Sequence, residues 1–341
     1  MKESNSARMI LDKRKKDHIH LALQSRVSAA LADHRFFYEP ILKGHPVQGN
    51  TSVFEIAGKR LNHPIWVSSM TGGTAAAATI NKRLARACKE FGLGMGLGSC
   101  RIILDQQQYF KDFDIRKSIG DASPLFANLG IAQIELIHRE DSWGKVMKMI
   151  NKLNADGLII HINPLQEWFQ PEGDDIHVAP LDSIKQAIKA LPVPIIVKEV
   201  GQGMGKESLK ALMKLPLEAI EFAAFGGTNF SILELKRDPM SGNNLNPLIQ
   251  VGHTADDMVE MVNALITGLG NKVKCKRYII SGGINNFLDG YYLVNKLKLP
   301  SVYGQASALL TPARKGYPQL SEFVQSQIEG LQLAYNYLTV R

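Results

Sequence analysis

Residues 157–174 read GLIIHINPLQEWFQPEGD, and the fold follows from how this stretch changes character partway along. Leu158, Ile159, Ile160 and Ile162 form a run too apolar for a sheet with one wet face; such runs belong to strands covered on both sides. Polar side chains then crowd in: His161, Asn163, Gln166 and Glu167, followed by Gln170, Glu172 and Asp174. Pro164 ends the strand because it has no N–H to give a ladder. A buried strand running into a dense polar cluster is what a barrel or open α/β enzyme presents at the carboxyl ends of its strands. A solvated loop after a core strand is the plainer alternative.

Working outward, the same rhythm recurs from residue 61 onward. Apolar runs occur at 64–70 (PIWVSSM), 92–99 (GLGMGLGS), 124–130 (PLFANLG), 157–163, 194–200 (PIIVKEV), 219–225 (AIEFAAF), 278–284 (YIISGGI) and 301–307 (SVYGQAS). Segments with helical spacing lie between them, at 79–90, 131–153, 181–191 and 288–297. Strand–helix alternation implies parallel pairing with right-handed crossovers, and eight units predict a (β/α)8 TIM barrel. The gap 226–277 is the longest and contains KRDPMSGNNLNPL, too rich in Gly, Pro, Asn and Asp for a regular element. An insertion after strand six is expected to sit over the mouth. Ahead of the barrel, residues 1–12 read as disordered. Residues 13–32 read as a helix carrying Ile19, Leu21, Leu23 and Val27, and 35–60 as a connecting segment. The expected division is an N-terminal arm and connector, 1–60, and a barrel, 61–341.

Hydrophobic content of 45% and charged content of 21% place the chain among ordinary globular proteins. No apolar run is long enough to span a membrane, and the N-terminus lacks a signal-peptide pattern. Cys88, Cys100 and Cys275 have no metal-ligand spacing and are too few for a disulfide framework, which fits a reducing cytoplasm. The net charge of +8 admits nucleic acid, an acidic membrane or an anionic small molecule. The one dense basic run is Lys13-Arg14-Lys15-Lys16, and aromatic residues are not interleaved with it. No nucleic-acid module is visible. An anionic small molecule is the expected partner.

The carboxyl ends of the runs supply the candidate site. They are Ser69-Met70-Thr71-Gly72-Gly73, Ser99-Cys100-Arg101, Asn128, His161-Ile162-Asn163, Lys198, Gly226-Gly227-Thr228, Ser281-Gly282-Gly283 and Gly304-Gln305-Ala306. Backbone N–H groups at the last two ends can cradle a phosphate, a recurrent use of this fold, although a structural turn explains Gly282-Gly283 equally well. Lys198 can form a Schiff base, balance a charge or tune a cofactor ring. A direct pair with Glu199 is disfavoured, since neighbours on a strand face opposite sides. Gly92, Gly94, Gly96 and Gly98 alternate, which suits close approach of a planar ligand or, alternatively, helix packing outside the barrel. Ser99 and Arg101 follow directly and favour the ligand.

Taken together, MTGG at 70–73, GLGSCR at 96–101, ANLG at 127–130, HINPLQE at 161–167, QPEGD at 170–174, VKEVG at 197–201, GGT at 226–228 and SGGI at 281–284 resemble type 2 isopentenyl diphosphate isomerase. Arg14-Lys15-Lys16-Asp17-His18 resembles that family's substrate-clamping arm. The resemblance runs from about residue 13 to 310. It implies a homo-oligomeric barrel, a tetramer or larger, that binds FMN and Mg²⁺, with NADPH as reductant. It further implies interconversion of isopentenyl and dimethylallyl diphosphate, with the flavin reduced but not consumed. Carried over by position, FMN is expected to meet Ser69, Met70, Thr71, Ser99, Asn128, Lys198, Thr228, Gly282, Gly283, Gln305 and Ala306. The diphosphate is expected to meet Arg14, Lys15, Ser99, Arg101, His161, Asn163 and Gln166, and Glu167 to bind Mg²⁺. The chain departs from the family pattern at Gly205, where a Ser is frequent, and at 305–308, which lacks an Arg.

A 1,3 proton shift on an unactivated alkene needs an acid and a base, yet no carboxylate pair stands out. The resemblance assigns the proton to reduced flavin and leaves orientation to the protein. Gln166 is expected to position the hydrocarbon. His161 is expected to be mainly a phosphate partner, with general acid as its other role. The rival enzyme is an FMN-dependent 2-hydroxy-acid oxidase. That chemistry wants a His with Arg residues near the late strands, where this chain has Gly, Ser and Gln. A non-catalytic barrel that only binds is the third reading.

Overall fold

The eight apolar runs form the eight parallel strands of a closed barrel. In chain order these are β1 (Ile65–Val67), β2 (Gly94–Gly96), β3 (Leu125–Gly130), β4 (Gly157–Ile162), β5 (Ile195–Glu199), β6 (Ala219–Glu221), β7 (Tyr278–Ser281) and β8 (Ser301–Gln305). Strand β8 closes the ring on β1 through Tyr303–Ile65, Gly304–Trp66 and Gln305–Val67. The computed structural model describes residues 2–47, 49, 51–70, 74–237 and 246–341.

Period-two alternation gives the interior two layers. The lower layer is apolar: Trp66, Phe126, Ile159, Ile196, Ala219, Ile279 and Val302 form one buried cluster with Phe54, Ile56 and Leu61. Those last three come from the segment read as a connector. A small hairpin, Glu55–Ile56 with Lys59–Arg60, turns through Ala57 and Gly58, both at positive φ, and closes the barrel floor. Two residues further along each strand lies the upper layer: Ser68, Gly96, Asn128, His161, Lys198, Glu221, Ser281 and Gly304. Ser68 donates across the barrel to Glu221 at 2.6 Å, and a Cβ on Gly304 would lie 2.5 Å from the Ser68 hydroxyl. Every expected strand is therefore present, and the inner surface changes from hydrocarbon to polar within one step.

Two of the four alternating glycines, Gly94 and Gly96, have a packing cause inside the barrel, different from both the ligand and the outer helix packing expected. Gly94 and Gly96 are the two inward positions of β2. A Cβ on Gly94 would lie 2.3 Å from the Trp66 ring, and one on Gly96 would lie 2.5 Å from Ile159 and 2.7 Å from the Ser69 hydroxyl. Side chains from β1 and β4 occupy the room that β2 leaves.

Two helical expectations also change. The segment 131–153 is two helices, Ile131–Arg139 and Trp143–Leu153, because Asp141 takes φ +51 between them. The N-terminal helix spans Lys2–Ala22, so residues expected to be disordered are helical, and the helix stops before Leu23. Ile19, Leu23 and Val27 are each more than 70% exposed, so the described residues leave most of this apolar surface uncovered. Phe36–Tyr38 pairs antiparallel with Leu338–Val340 and ties the N-terminal segment to the end of the chain. After β6, helix Phe230–Arg237 packs on helix Pro164–Phe169 at the strand ends, where the insertion was expected. Most of the KRDPMSGNNLNPL loop lies outside the described residues.

Candidate active site

The upper layer fixes its own geometry. Asn128, 3% exposed, donates from Nδ2 to the Leu97 carbonyl at 2.9 Å, which sets the amide's orientation. Its Oδ1 then lies 2.8 Å from His161 Nδ1. An amide oxygen only accepts, so Nδ1 carries the proton and Nε2 holds a lone pair. Burial, with Lys198 adding to it, pushes the His161 pKa down to about 3. The ring of the ligand-free chain is therefore neutral at ordinary pH, with the Nε2 lone pair free to take up a proton. Lys198, 6% exposed, donates to the Glu199 carbonyl at 2.8 Å. The Glu199 carboxylate turns away, as strand alternation requires, and accepts the N–H groups of Gly201, Gln202 and Gly203 at 2.6–2.9 Å.

One cavity at the ends of β1 and β5 to β8 gathers Ser69, Lys198, Thr228, Gly282, Gly283, Gln305 and Ala306. These are seven of the eleven positions expected to meet FMN. Gly282 has φ +94, and a Cβ there would lie 2.1 Å from the Ala224 carbonyl oxygen; Gly283 has φ +72. Ser69 Oγ, Gln305 Oε1 and Glu221 Oε2 are buried and have no hydrogen-bond partner among the described residues. Orphaned polar atoms beside a glycine-lined wall and a lysine are a donor–acceptor set that fits a flavin's polar ring and phosphate. Asn128 and Ser99 lie outside this lining, and Met70 packs partly buried against the core. Thr71 lies outside the described residues. At the first point of departure from the family pattern, a Cβ on Gly205 would meet His253 Nε2 at 3.3 Å, so the ring of His253 lies where a side chain would go.

A second cavity, next to the first, is lined by Asn163, Gln166, Glu199 and His253 among others. Pro164 opens the short helix Pro164–Phe169, which lifts Gln166 and Glu167 off the end of β4. Asn163 Nδ2 donates to Gln166 Oε1 at 3.2 Å and to Glu167 Oε1 at 2.8 Å. Glu167 Oε2 accepts the Asp174 N–H at 2.9 Å. Gln166 Nε2 donates to Glu234 Oε1 at 3.1 Å, and Arg237 pairs with both Glu234 and Glu172. Among the described residues no group of three His, Cys, Asp or Glu converges on a metal position. Glu167 suits Mg²⁺ as a single carboxylate completed by water and substrate oxygens.

Arg101 is held by Asp174 at 2.5 Å, with its side chain 52% exposed. Arg14 and Lys15 stand exposed on the N-terminal helix, and no described hydrogen bond or ion pair ties them to the barrel. Sequence reasoning missed Ser68, Glu221, Glu234 and Arg237. Glu221 left a signal, a charge inside an apolar strand run, whereas Glu234 sits in a helix whose orientation only packing reveals.

An isopentenyl-diphosphate delta-isomerase from Rickettsia typhi is 34% identical over 332 residues, covering 94% of this chain and 91% of its own. The Rickettsia prowazekii protein of the same name is 33% identical over 332 residues, with the same coverage. The chain belongs to the isopentenyl-diphosphate delta-isomerase family. It is accordingly an enzyme, an isomerase. No family model matches it. Among solved structures, a flavocytochrome b2 variant with sulfite bound aligns with a TM-score of 0.59 at 15% identity, covering 87% of this chain and 71% of its own. A mandelate oxidase variant with a monooxide FMN adduct aligns at 0.53 and 14%, covering 90% and 88%. At that identity the likeness establishes the barrel and nothing finer. No described helix is long and apolar enough to cross a membrane. A groove of about 640 Å³ between 46–54 and helix Tyr317–Tyr337 lies at the opposite end, where Pro64 and Pro300 enter the strands. Its described lining holds the amides Gln332 and Asn336 but none of the carboxylates that gather at the other mouth.

Proposed function

We propose that this isomerase interconverts isopentenyl and dimethylallyl diphosphate by a 1,3 proton shift, with reduced FMN and Mg²⁺ bound and NADPH as a reductant that turnover does not consume. One juxtaposition at the mouth carries the reading. A glycine-lined cavity with the open hydrogen-bonding atoms of Ser69 and Gln305 adjoins the Asn163–Gln166–Glu167–Glu234 cluster. When bound, reduced flavin supplies the acid–base chemistry that an unactivated alkene needs.

The chain's own residues bind and orient. Ser69, Gln305 and Lys198 hold the flavin, and Gly282 and Gly283 leave room for its phosphate. Glu167 holds Mg²⁺ against the diphosphate, because a hard cation reverses the repulsion between carboxylate and phosphate. Gln166 is kept in one orientation by Asn163 on one side and Glu234 on the other. Arg101 exchanges Asp174 for a phosphate oxygen at little expense, since exposed ion pairs contribute about 0–1 kcal/mol. His161 takes a phosphate oxygen only if a proton arrives on Nε2. Arg14 and Lys15 close from the N-terminal helix. Assembly as a homotetramer or larger belongs to the proposal, motivated by the uncovered Ile19, Leu23 and Val27, as does a cytoplasmic location.

The hydroxy-acid oxidase reading gains no specific support, because the upper layer of the barrel contains no arginine. The test is turnover. Oxidised holoenzyme should be inert, and reduction by NADPH or dithionite should start isomerisation without net loss of reductant. One equivalent of reductant consumed per product would favour the oxidoreductase instead.

A further inference from the structure

We infer that Glu221 is a positioning residue for the flavin site, a buried carboxylate that offsets the charge Lys198 presents to the bound ring. This rests on the FMN reading above. Glu221 is 0% exposed and sits in the upper layer of β6, opposite Lys198 in the β5–β6 register. Both line the same cavity, and they are the two ionisable side chains in its lining. The carboxylate is held from two directions: Ser68 donates to Oε1 from across the barrel at 2.6 Å, and Ser281 from the adjacent strand at 3.2 Å. Its other oxygen, Oε2, is buried with no hydrogen-bond partner among the described residues.

A purely structural role fits poorly. An isolated carboxylate in a barrel core costs several kcal/mol, and a glutamine of the same size would accept the same two hydroxyl bonds without a charge. Among the described residues Glu221 forms no ion pair within 4 Å. Burial pushes its pKa up, while Lys198 and the two serines oppose that shift. The charged group facing it, across the β5–β6 register and in the same cavity lining, is Lys198, whose charge acts on the carboxylate. A lone Lys198 would bias a reduced flavin towards its anion and hold on to that charge. A carboxylate in the same cavity would offset that bias.

The experiment compares the midpoint potential of FMN bound to the parent holoenzyme and to Glu221→Gln. Glu221→Gln should retain the flavin spectrum. Its preference for reduced over oxidised FMN should rise on the order of tenfold, the scale of one unit charge nearby at an effective dielectric of about 20. Glu221→Asp, which keeps the charge, should retain the parental preference. A Glu221→Gln holoenzyme with parental preference would overturn the inference while leaving the FMN reading intact. A parent that binds no FMN would overturn both. Should Glu221→Gln not fold, Ser68→Ala replaces it: loss of the shorter hydrogen bond should move the preference the same way by a smaller factor, and no movement there overturns the inference.

Discussion

Asn128 leaves His161 one tautomer. Its Nδ2 is committed to the Leu97 carbonyl, so the oxygen that meets His161 Nδ1 at 2.8 Å forces the proton onto that nitrogen. Burial and Lys198 then keep the ring neutral, with a pKa near 3 against an ordinary value of 6.5. His63, held by burial at about 4, behaves alike. Between those limits the unfolded chain binds protons that the folded chain refuses. Stability is therefore complete above about pH 6.5 and declines as pH falls towards 4, by up to about 1.4 kcal/mol per pH unit per group. Thermal melts from pH 7 to pH 4 should show this slope, and His161→Gln should flatten it. An unchanged slope would mean that His161 titrates normally.

Glu167→Gln should fold, keep FMN and lose most activity, with a raised Mg²⁺ requirement. A glutamine has one acceptor where the carboxylate uses two, so either the Asn163 or the Asp174 hydrogen bond is lost, for about 1 kcal/mol of stability. Activity titrated against Mg²⁺ decides the matter. A parental curve at the parental rate would remove Glu167 from the metal site.

Gly282 and Gly283 should differ in tolerance. Alanine at 283 meets only backbone strain at φ +72, its nearest neighbour being 3.5 Å away, and should cost about 1–2 kcal/mol. Alanine at 282 adds a 2.1 Å collision with Ala224 and should cost clearly more. Urea denaturation of the two variants should rank them so. Equal losses would mean that the β6 and β7 ends can separate freely.

Gly94→Ala should destabilise by roughly 1–3 kcal/mol through overpacking against Trp66 and Pro124. Trp66→Leu alone should also destabilise, by leaving a cavity. Combined, the two should cost less than their sum, a coupling that denaturation of the double variant measures. Strict additivity would contradict the contact.

Much of this enzyme is written locally. Apolar runs bounded by Gly and Pro specify strands, 3.6-residue periods specify helices, and their alternation leaves one parallel architecture. The end of β4 was legible for the same reason: Pro164 stops the strand, and the polar residues beside it have nowhere to go but the mouth. The helix break at Asp141 was less so, since it depends on a single residue's φ. Closure of the barrel decided the remainder. Ser68 and Glu221 stand 153 positions apart, and only the register of eight strands brings their side chains within 2.6 Å. The proton on His161 is set by an amide 33 residues away. The glycines of β2 read as space for a ligand until Trp66 is seen to fill it. Local pattern determines which side of a strand faces inward; what a side chain meets there depends on the opposite wall, and that is a property of the closed ring alone.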